Sequence, residues 1–149
     1  MKRMILVVVL VFCAAMASAA EKPAVLLAFE ETKFKNELIA EMKANLEAAG
    51  FAVTTLNHSK GALDAVDPAS YAVIFITNSG VGKKVRPWIT SWIAAKGNRT
   101  KVLLHTTQLY DWKVDTTVDA VTSASTRKKT AEFAAAYTER IKALANQAK

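Results

Sequence analysis

A cluster of hydroxyl and basic side chains near residue 125 has the densest polar chemistry in this sequence. Its hydroxyl members are Thr122, Ser123, Ser125 and Thr126, and its cations are Arg127, Lys128 and Lys129. A hydroxyl can cap a helix, and the N-terminus of a helix offers free N–H groups and a positive dipole to an anion. Because a helical pattern follows, the cluster predicts an anion or phosphate site. The alternative is a capped helix with solvated basic residues.

Polar residues also follow two predicted buried strands, YAVIFI (71–76) and KVLLH (101–105). The loops after these strands contain small polar residues and, after the second strand, two large aromatic side chains. A large aromatic side chain in a polar loop needs a partner, which is either a ligand ring or another protein. The candidate binding residues in these loops are Asn78, Ser79, Gly80, Thr106, Thr107, Tyr110 and Trp112.

Motifs for catalysis and for metal binding are not found. His58 and His105 lack the spacing of metal ligands, and for His105 we predict a hydrogen-bonded structural role, with a site role as the alternative. Glu30 and Glu31 follow the first predicted strand. Their position favours a role as helix-capping charges, and a cation-binding or acid–base site is the alternative. No Walker loop, nucleophile elbow or dinucleotide fingerprint is present. We predict no catalytic residue and no metal site, and leave open whether the chain is an enzyme.

Strand and helix patterns alternate along the chain. PAVLLAF (23–29) is a continuous apolar run, typical of a strand covered on both faces. A helix follows, with Phe34, Leu38, Ile39, Met42 and Leu46 on one face, Lys35, Glu41, Lys43 and Glu47 on the other, and Gly50 at its end. The remaining predicted elements are strands at 51–56, 71–76 and 101–105, a helix from Pro87 with Trp88 and Trp92 in the core, a short apolar piece at 118–121, and a helix at 126–146.

This alternation predicts an α/β domain with three layers. An open parallel sheet of four to five strands would lie between helices on both faces. In such sheets ligands bind outside the carboxyl ends of the strands. We therefore expect the loops at 30–33, 77–84, 106–112 and 122–129 to meet at one edge of the sheet.

The first twenty residues have the features of a secretory signal peptide. Lys2 and Arg3 precede an apolar run, and Ala17-Ser18-Ala19 is a small-residue cleavage pattern. The run is shorter than a membrane-spanning helix requires, although an uncleaved anchor is the alternative. We predict a signal peptide at 1–20, one domain at 21–149, and a periplasmic or secreted location. The single cysteine, Cys13, would leave with the signal peptide, so no disulfide is expected.

The order of these segments resembles that of the flavodoxin-like superfamily. The similarity covers about residues 23–107, from PAVLLAF through LEAAGF and DPASYAVIFITNSG to RPWITSWI and KVLLHTT. It implies FMN stacked on aromatic rings from the loops after the third and fourth strands. Trp88, Tyr110 and Trp112 lie near those places, and core packing of Trp88 with Trp92 makes Tyr110 and Trp112 the better candidates. Flavodoxins hold the FMN phosphate in a loop rich in Ser, Thr and Gly after the first strand. Here that loop, EETKF (30–34), has two carboxylates and no glycine, so the usual phosphate site is predicted to be absent.

A second resemblance concerns residues 119–126, DAVTSAST. This segment is similar to the flavin-attachment motif of exported FMN-binding domains. Asp119, Ala120 and Ala124 match the motif, and Thr122 and Ser123 replace its serine and glycine. The resemblance implies that Ser125 lies where the motif's last threonine carries FMN through a phosphodiester bond.

Together these patterns predict an exported flavin-binding protein that transfers electrons, with FMN as cofactor and a redox protein as partner. The alternative is a cofactor-free binding module of the same fold that acts through a protein or a small anionic ligand. A hydrolase of phosphorylated or small anionic substrates ranks third. The formal net charge of +7 favours anionic partners or serves solubility alone. Neither a nucleic-acid partner nor a transmembrane segment after signal cleavage is predicted, and the sequence leaves the oligomeric state open.

Overall fold

Five parallel strands form one sheet in the order β2-β1-β3-β4-β5. The structure is a computed structural model that describes residues 21–80, 84–108 and 114–147. The strands are β1 (Ala24–Phe29), β2 (Ala52–Asn57), β3 (Val73–Ser79), β4 (Lys101–Thr107) and β5 (Asp119–Ser123), and the helices are α1 (Lys33–Ala48), α2 (Pro87–Lys96) and α3 (Thr130–Asn146). The predicted α/β class and open parallel sheet are confirmed, with five strands.

Helices cover both faces of the sheet. The helices α1 and α3 pack on one face, against residues that include Leu27, Phe75 and Leu103. The other face, which includes Leu26 and Ile74, packs against α2 and short helical turns. Successive side chains of a strand point to opposite faces, so a strand buried on both faces is apolar throughout. This explains the continuous apolar runs and confirms the three layers.

The connection between β2 and β3 contains two short 3-10 helices, Ala62–Ala65 and Pro68–Ser70, where a doubly wound fold commonly has a longer helix. Asp67 begins the second of them by accepting a hydrogen bond from the backbone N–H of Ala69 at 3.2 Å. None of the helices in the described ranges has the length and apolar character needed to cross a bilayer.

Two strands continue further than predicted at their carboxyl ends. β3 includes Asn78 and Ser79, and β4 includes Thr106 and Thr107, all of which were predicted to lie in loops. The register pairs Asn78 with Thr106 and Ser79 with Thr107. Backbone pairing between parallel strands does not depend on side-chain polarity, so the apolar runs alone underestimate the strand length.

The start of the last helix and the cap of the first helix differ from the predictions. The helix α3 begins at Thr130, after a short 3-10 helix at Arg127–Lys129, and the Thr126 side chain makes no capping hydrogen bond. At α1, the cap is Thr32, whose hydroxyl accepts a hydrogen bond from the backbone N–H of Lys35 at 3.1 Å. The prediction that Glu30 serves as a helix-capping charge is therefore wrong, because a hydroxyl nearer the helix fills that role.

Candidate functional site

Lys35 is a buried charge at the carboxyl edge of the sheet, where β1 and β3 adjoin. The residue is 1% exposed. Its Nζ donates to Oε2 of Glu30 at 2.5 Å and to Oγ of Ser79 at 2.8 Å. The Ser79 hydroxyl donates in turn to the same carboxylate oxygen at 2.7 Å. Three elements thus bring a lysine, a carboxylate and a hydroxyl into mutual contact.

The burial of Lys35 corrects its predicted place on the polar side of α1. Its spacing from Leu38, three residues later, and from Ile39, four later, is that of one helical face. All three residues are buried in α1. Helical periodicity therefore indicates that Lys35 lies on the buried face, whereas its charge alone favours the exposed face.

The pair of Lys35 and Glu30 shifts the titration of both groups. Burial lowers the pKa of Lys35, although the Glu30 carboxylate opposes that shift. Burial raises the pKa of Glu30, but hydrogen bonds from Lys35 and Ser79 outweigh burial, so the pKa lies below its usual value. The carboxylate is therefore ionised at neutral pH and serves as the counter-ion of the buried ammonium group.

Arg86, at the start of α2, joins this pair through a closed series of contacts. Its Nε donates to Oε1 of Glu30 at 3.2 Å, and its guanidinium carbon lies 5.6 Å from the Trp88 ring centroid. The Trp88 Nε1 donates to Nδ1 of His58 at 3.4 Å, and Nε2 of His58 lies 2.7 Å from the carbonyl oxygen of Thr77. The Thr77 hydroxyl accepts from the backbone N–H of Glu30 at 3.0 Å, which closes the series.

We call these seven residues the β1/β3 cluster: Glu30, Lys35, His58, Thr77, Ser79, Arg86 and Trp88. The predicted site included only Ser79 among them. Trp88 was predicted in the core with Trp92; Trp92 is buried, whereas Trp88 is partly buried and stacks under Arg86. The missed residues come from β1, α1, the end of β2, β3 and the start of α2, so no local motif connects them.

His58 is held in one neutral form by its two neighbours. Because Nδ1 accepts a hydrogen bond from Trp88, the ring proton lies on Nε2 and is donated to the Thr77 carbonyl oxygen. Burial lowers the pKa of His58, although the hydrogen bond to Thr77 and the Glu30 charge oppose that shift. The residue is 3% exposed and positions Trp88.

Asn78 and Thr106 are buried and position the start of α2. Asn78 donates to the Thr106 hydroxyl at 3.2 Å and to the carbonyl oxygen of Lys84 at 3.4 Å. Its own side-chain oxygen accepts from the backbone N–H of Arg86 at 3.0 Å. Both predicted site residues are 0% exposed. Asn78 and Thr106 therefore position Arg86 from the interior of the protein. Because both are buried, a ligand in the solvent does not contact them directly.

Gly80 lies where the ends of β3 and β4 approach each other. Its backbone N–H donates to the carbonyl oxygen of Thr107 at 3.0 Å. A Cβ atom at this position would lie only 2.8 Å from that oxygen and 2.9 Å from Cγ2 of Thr106. Only glycine permits this close approach, so Gly80 has a packing role at the edge of the site.

A second group of polar residues lies under the ends of β4 and β5. We call His105, Thr107, Ser123 and Tyr137 the β4/β5 cluster. Nε2 of His105 lies 2.9 Å from Oγ of Ser123, and its ring stacks on Phe75 with 5.8 Å between centroids. Burial, with a smaller effect of the Lys35 charge, lowers the pKa of His105 to about 3. Its burial and hydrogen bond match the structural role that we predicted.

The hydroxyl and basic cluster at 122–129 is divided among different environments. Thr122 and Ser123 belong to β5, whereas Ser125 and Thr126 are exposed in the following turn. Arg127 donates from Nε to both carboxylate oxygens of Glu37 at 2.9 Å. The pairing with Glu37 raises the pKa of Arg127 and lowers that of the carboxyl group. One of the three predicted anion-binding cations is thus already engaged by α1.

The predicted aromatic residues Tyr110 and Trp112 lie outside the described residues. Gln108, the last described residue before them, lies beside the end of β5, because its backbone N–H donates to the carbonyl oxygen of Ser123 at 2.9 Å. The two loops after β4 and β5 therefore start side by side, as the parallel register requires. Across 21–80, 84–108 and 114–147, no group of three or more His, Cys, Asp or Glu residues could hold a metal ion.

The loop between β1 and α1 does not fit a phosphate group. Lys35 donates to the Glu30 carboxylate and to Ser79, the Ser79 hydroxyl donates to the same carboxylate, and the Thr32 hydroxyl caps α1. A phosphate placed there would meet a carboxylate at close range. The structure thus supports the prediction that the usual FMN phosphate site is absent.

Comparison with known proteins shows likeness at the level of the fold. No family model matches the chain, and no curated protein matches it in sequence. The constitutive lysine decarboxylase of E. coli superposes with a TM-score of 0.52 and 12% identity, over 84% of this chain and 17% of the decarboxylase. This chain therefore spans about a sixth of that enzyme's length.

Two smaller proteins superpose over nearly their whole length. Flavodoxin 2 from Bacillus cereus has a TM-score of 0.48 and 13% identity, over 78% of this chain and 99% of the flavodoxin. A response regulator receiver domain from Bacillus halodurans has a TM-score of 0.48 and 13% identity, over 79% and 97%. Strand order 2-1-3-4-5, all parallel, with helices on both faces, defines the flavodoxin-like arrangement. The chain has a flavodoxin-like fold.

Proposed function

We propose that this chain is a binding module for a small anionic ligand, which it holds at the carboxyl edge of the sheet above the β1/β3 cluster. The observation that carries this proposal is the buried Lys35, paired with Glu30 and Ser79 at the boundary of β1 and β3. Open α/β sheets bind ligands at this topological switch point. A buried ion pair is a costly way to stabilise a protein, so its presence at such a point favours a functional role.

The electrostatics of the cluster favour an anion. Lys35 and Arg86 bring two cations to one carboxylate, that of Glu30. The second carboxylate of the loop, Glu31, instead accepts a hydrogen bond from Asn57 at the end of β2. The surplus of one positive charge lies at an edge of the sheet that solvent reaches, because the Arg86 side chain is 36% exposed.

FMN, used for electron transfer with a redox partner protein, is the narrower candidate. The switch point between β1 and β3 is where a fold of this strand order places FMN. Since the loop after β1 does not fit a phosphate, the phosphate of FMN would have to bind elsewhere on the same edge. Attachment at Ser125 is the covalent form of this candidate, and the exposure of Ser125 leaves its hydroxyl accessible.

A spectroscopic experiment separates the two candidates. Protein purified from an exporting host is examined for flavin absorbance, and then titrated with FMN, riboflavin and inorganic phosphate by flavin and tryptophan fluorescence. Bound flavin, or saturable uptake of FMN, supports the narrower candidate, and flavin that survives denaturation but is lost in Ser125→Ala supports attachment. Saturable phosphate binding without flavin uptake supports the general binding module. If none of the three ligands binds, the proposal is wrong.

We also propose that the domain works outside the cytoplasm, because residues 1–20 have the pattern of a secretory signal peptide. The intact mass of the exported protein tests this. A mass that corresponds to cleavage after Ala19 or Ala20 is expected. Retention of Cys13 in the soluble exported protein would contradict it.

A further inference from the structure

We propose that Arg86 is the residue that binds the ligand's anionic group, and that this group is a phosphate monoester. This inference rests on the proposed function. It places the anion at the start of α2, whereas flavodoxins hold the phosphate in the loop after the first strand. The guanidinium group is planar and presents five N–H donors in a fixed fork, which matches two oxygens of a phosphate at once.

Contacts on two sides hold the Arg86 guanidinium in place. The Nε–H edge is engaged by Glu30, and one face lies over the Trp88 ring. Trp88 is itself fixed by its hydrogen bond to His58, and the backbone of Arg86 is fixed by Asn78. An arginine oriented in advance loses less conformational entropy when it binds an anion than a freely rotating one does.

The remaining donors of the guanidinium are available to a ligand. In the portion of the chain that the structure describes, the only hydrogen bond from this guanidinium is the one from Nε to Glu30. The side chain retains 36% exposure, whereas the Lys35 side chain retains 2%. Lys35 therefore neutralises the Glu30 carboxylate from within, and Arg86 is the cation of the cluster that an anion in solvent can reach.

The carboxylate of Glu30 acts here as a positioning group. It contacts Arg86 through Oε1 and receives Lys35 and Ser79 through Oε2. Because Lys35 and Ser79 already satisfy one carboxylate oxygen, Glu30 can orient Arg86 without neutralising the whole site. Two cations and one carboxylate leave one positive charge for the incoming phosphate.

The test compares FMN with riboflavin, which lacks the phosphate, in low-salt buffer at neutral pH. The protein variants are Arg86→Lys, which keeps the charge but loses the fork, and Arg86→Gln, which loses both. Arg140→Lys is the matched control, because Arg140 is also paired with a carboxylate, that of Asp119, but this pair lies at the amino end of β5, away from the carboxyl edge. Circular dichroism and thermal melting check that each variant is folded.

We expect wild-type protein to bind FMN more tightly than riboflavin, and inorganic phosphate to compete with FMN. Replacing Arg86 by lysine should weaken FMN binding about tenfold. Riboflavin binding should change little in the Arg86 variants. FMN binding should be weaker still in Arg86→Gln, and Arg140→Lys should match wild type. Phosphate binding by wild type that is lost in Arg86→Gln also supports the inference if no flavin binds.

Equal FMN affinity in wild type and both Arg86 variants, with FMN still bound more tightly than riboflavin, overturns the inference while the proposed function stands. Equal affinity of wild type for FMN and riboflavin overturns the inference, and the proposed function stands in that case only if inorganic phosphate binds. If wild-type protein binds none of the three probes, the proposed function fails and the inference fails with it. If Arg86→Lys does not fold, Arg86→Gln decides between these outcomes.

Discussion

Two clusters along the carboxyl edge of the sheet, the β1/β3 cluster and the β4/β5 cluster, differ in how their polar groups are bonded. In the β1/β3 cluster, Glu30 contacts three side chains, those of Lys35, Ser79 and Arg86, and His58 bonds through both ring nitrogens. In the β4/β5 cluster, Nδ1 of His105 and Oγ1 of Thr107 are buried and have no hydrogen-bond partner among the described residues. The first cluster is linked by charge, and the second is surrounded by aromatic rings.

This difference separates the predicted hydroxyl-rich site from the site that we propose. The hydroxyls of 122–126 are spread between a strand and an exposed turn, and the cation that follows is paired with Glu37. By contrast, the β1/β3 cluster uses a glutamate and a lysine that look like ordinary helix-flanking charges in the sequence. Our proposal places the site where the fold buries a charged pair and leaves one cation exposed.

The largest expected effect is the loss of stability in acid that protonation of His105 causes. Its folded-state pKa is about 3, below the ordinary value of 6.5 that applies to the unfolded chain. Between these values the unfolded state binds more protons, so the free energy of unfolding falls as the pH drops through this window. The slope is about 1.4 kcal/mol per pH unit, or roughly 5 kcal/mol in all. Urea unfolding at a series of pH values measures it.

The matched variant is His105→Phe, which keeps a ring within the aromatic cluster but cannot titrate. Its slope between pH 6.5 and pH 5 should be smaller by about 1.4 kcal/mol per unit. Glu30 and His58, whose folded-state pKa values are also lowered, contribute in both proteins and cancel in the comparison. Identical slopes for the two proteins would show that His105 is not held neutral by burial.

A smaller effect is expected from breaking the pair in the β1/β3 cluster. Glu30→Gln leaves the Lys35 ammonium buried without its carboxylate, which should lower the free energy of unfolding by about 3 kcal/mol. The double variant Glu30→Gln/Lys35→Met removes both charges and should recover most of that loss, because the apolar stem still packs. Urea unfolding at neutral pH provides the measurement.

Glu31→Gln is the control for this pair, since Glu31 is exposed and contacts Asn57. It should change the free energy of unfolding by no more than about 0.5 kcal/mol. Equal effects of Glu30→Gln and Glu31→Gln would remove the distinction between a buried and a superficial carboxylate at this edge.

The smallest effect is expected at the pair of Arg127 and Glu37. Their side chains are 57% and 38% exposed, so water and salt screen the attraction. Arg127→Ala should therefore lower the free energy of unfolding much less than Glu30→Gln does. A double-mutant cycle with Glu37→Ala, at low and high salt, isolates the coupling. A coupling as large as the loss caused by Glu30→Gln would place this pair beside that of Lys35 and Glu30 in importance.

Much of the fold was predictable because its signals are local. Runs such as PAVLLAF and YAVIFI are apolar throughout because helices cover both faces of the sheet. Gly50 follows α1 with a backbone φ of 89°, and Pro87 is the first residue of α2. Strand ends were less predictable, because Asn78 and Thr106 stay in the sheet through backbone pairing that their polarity conceals.

Much less of the candidate site was predictable. The sequence correctly placed the segments that follow the strands at one edge of the sheet. The absence of a phosphate site at 30–34 stays a prediction. The sequence placed Lys35 on the wrong face of α1 and included neither His58 nor Arg86 among the candidate site residues. Trp88 does pack against the core, but it also contacts His58 and Arg86. Each of these residues has its role only through a contact at least five positions away in sequence, such as Lys35 with Ser79 or Trp88 with His58.

The amino-acid sequence by itself determined the alternation of strands and helices, the parallel sheet and the edge where a ligand would bind. These follow from side-chain periodicity and turn residues, which act over a few positions. Only the tertiary structure decided that β1 lies between β2 and β3, and hence that Glu30, Ser79 and Arg86 meet. Strand order depends on packing between distant segments, and the burial that turns ordinary charges into the β1/β3 cluster exists only after that packing is complete.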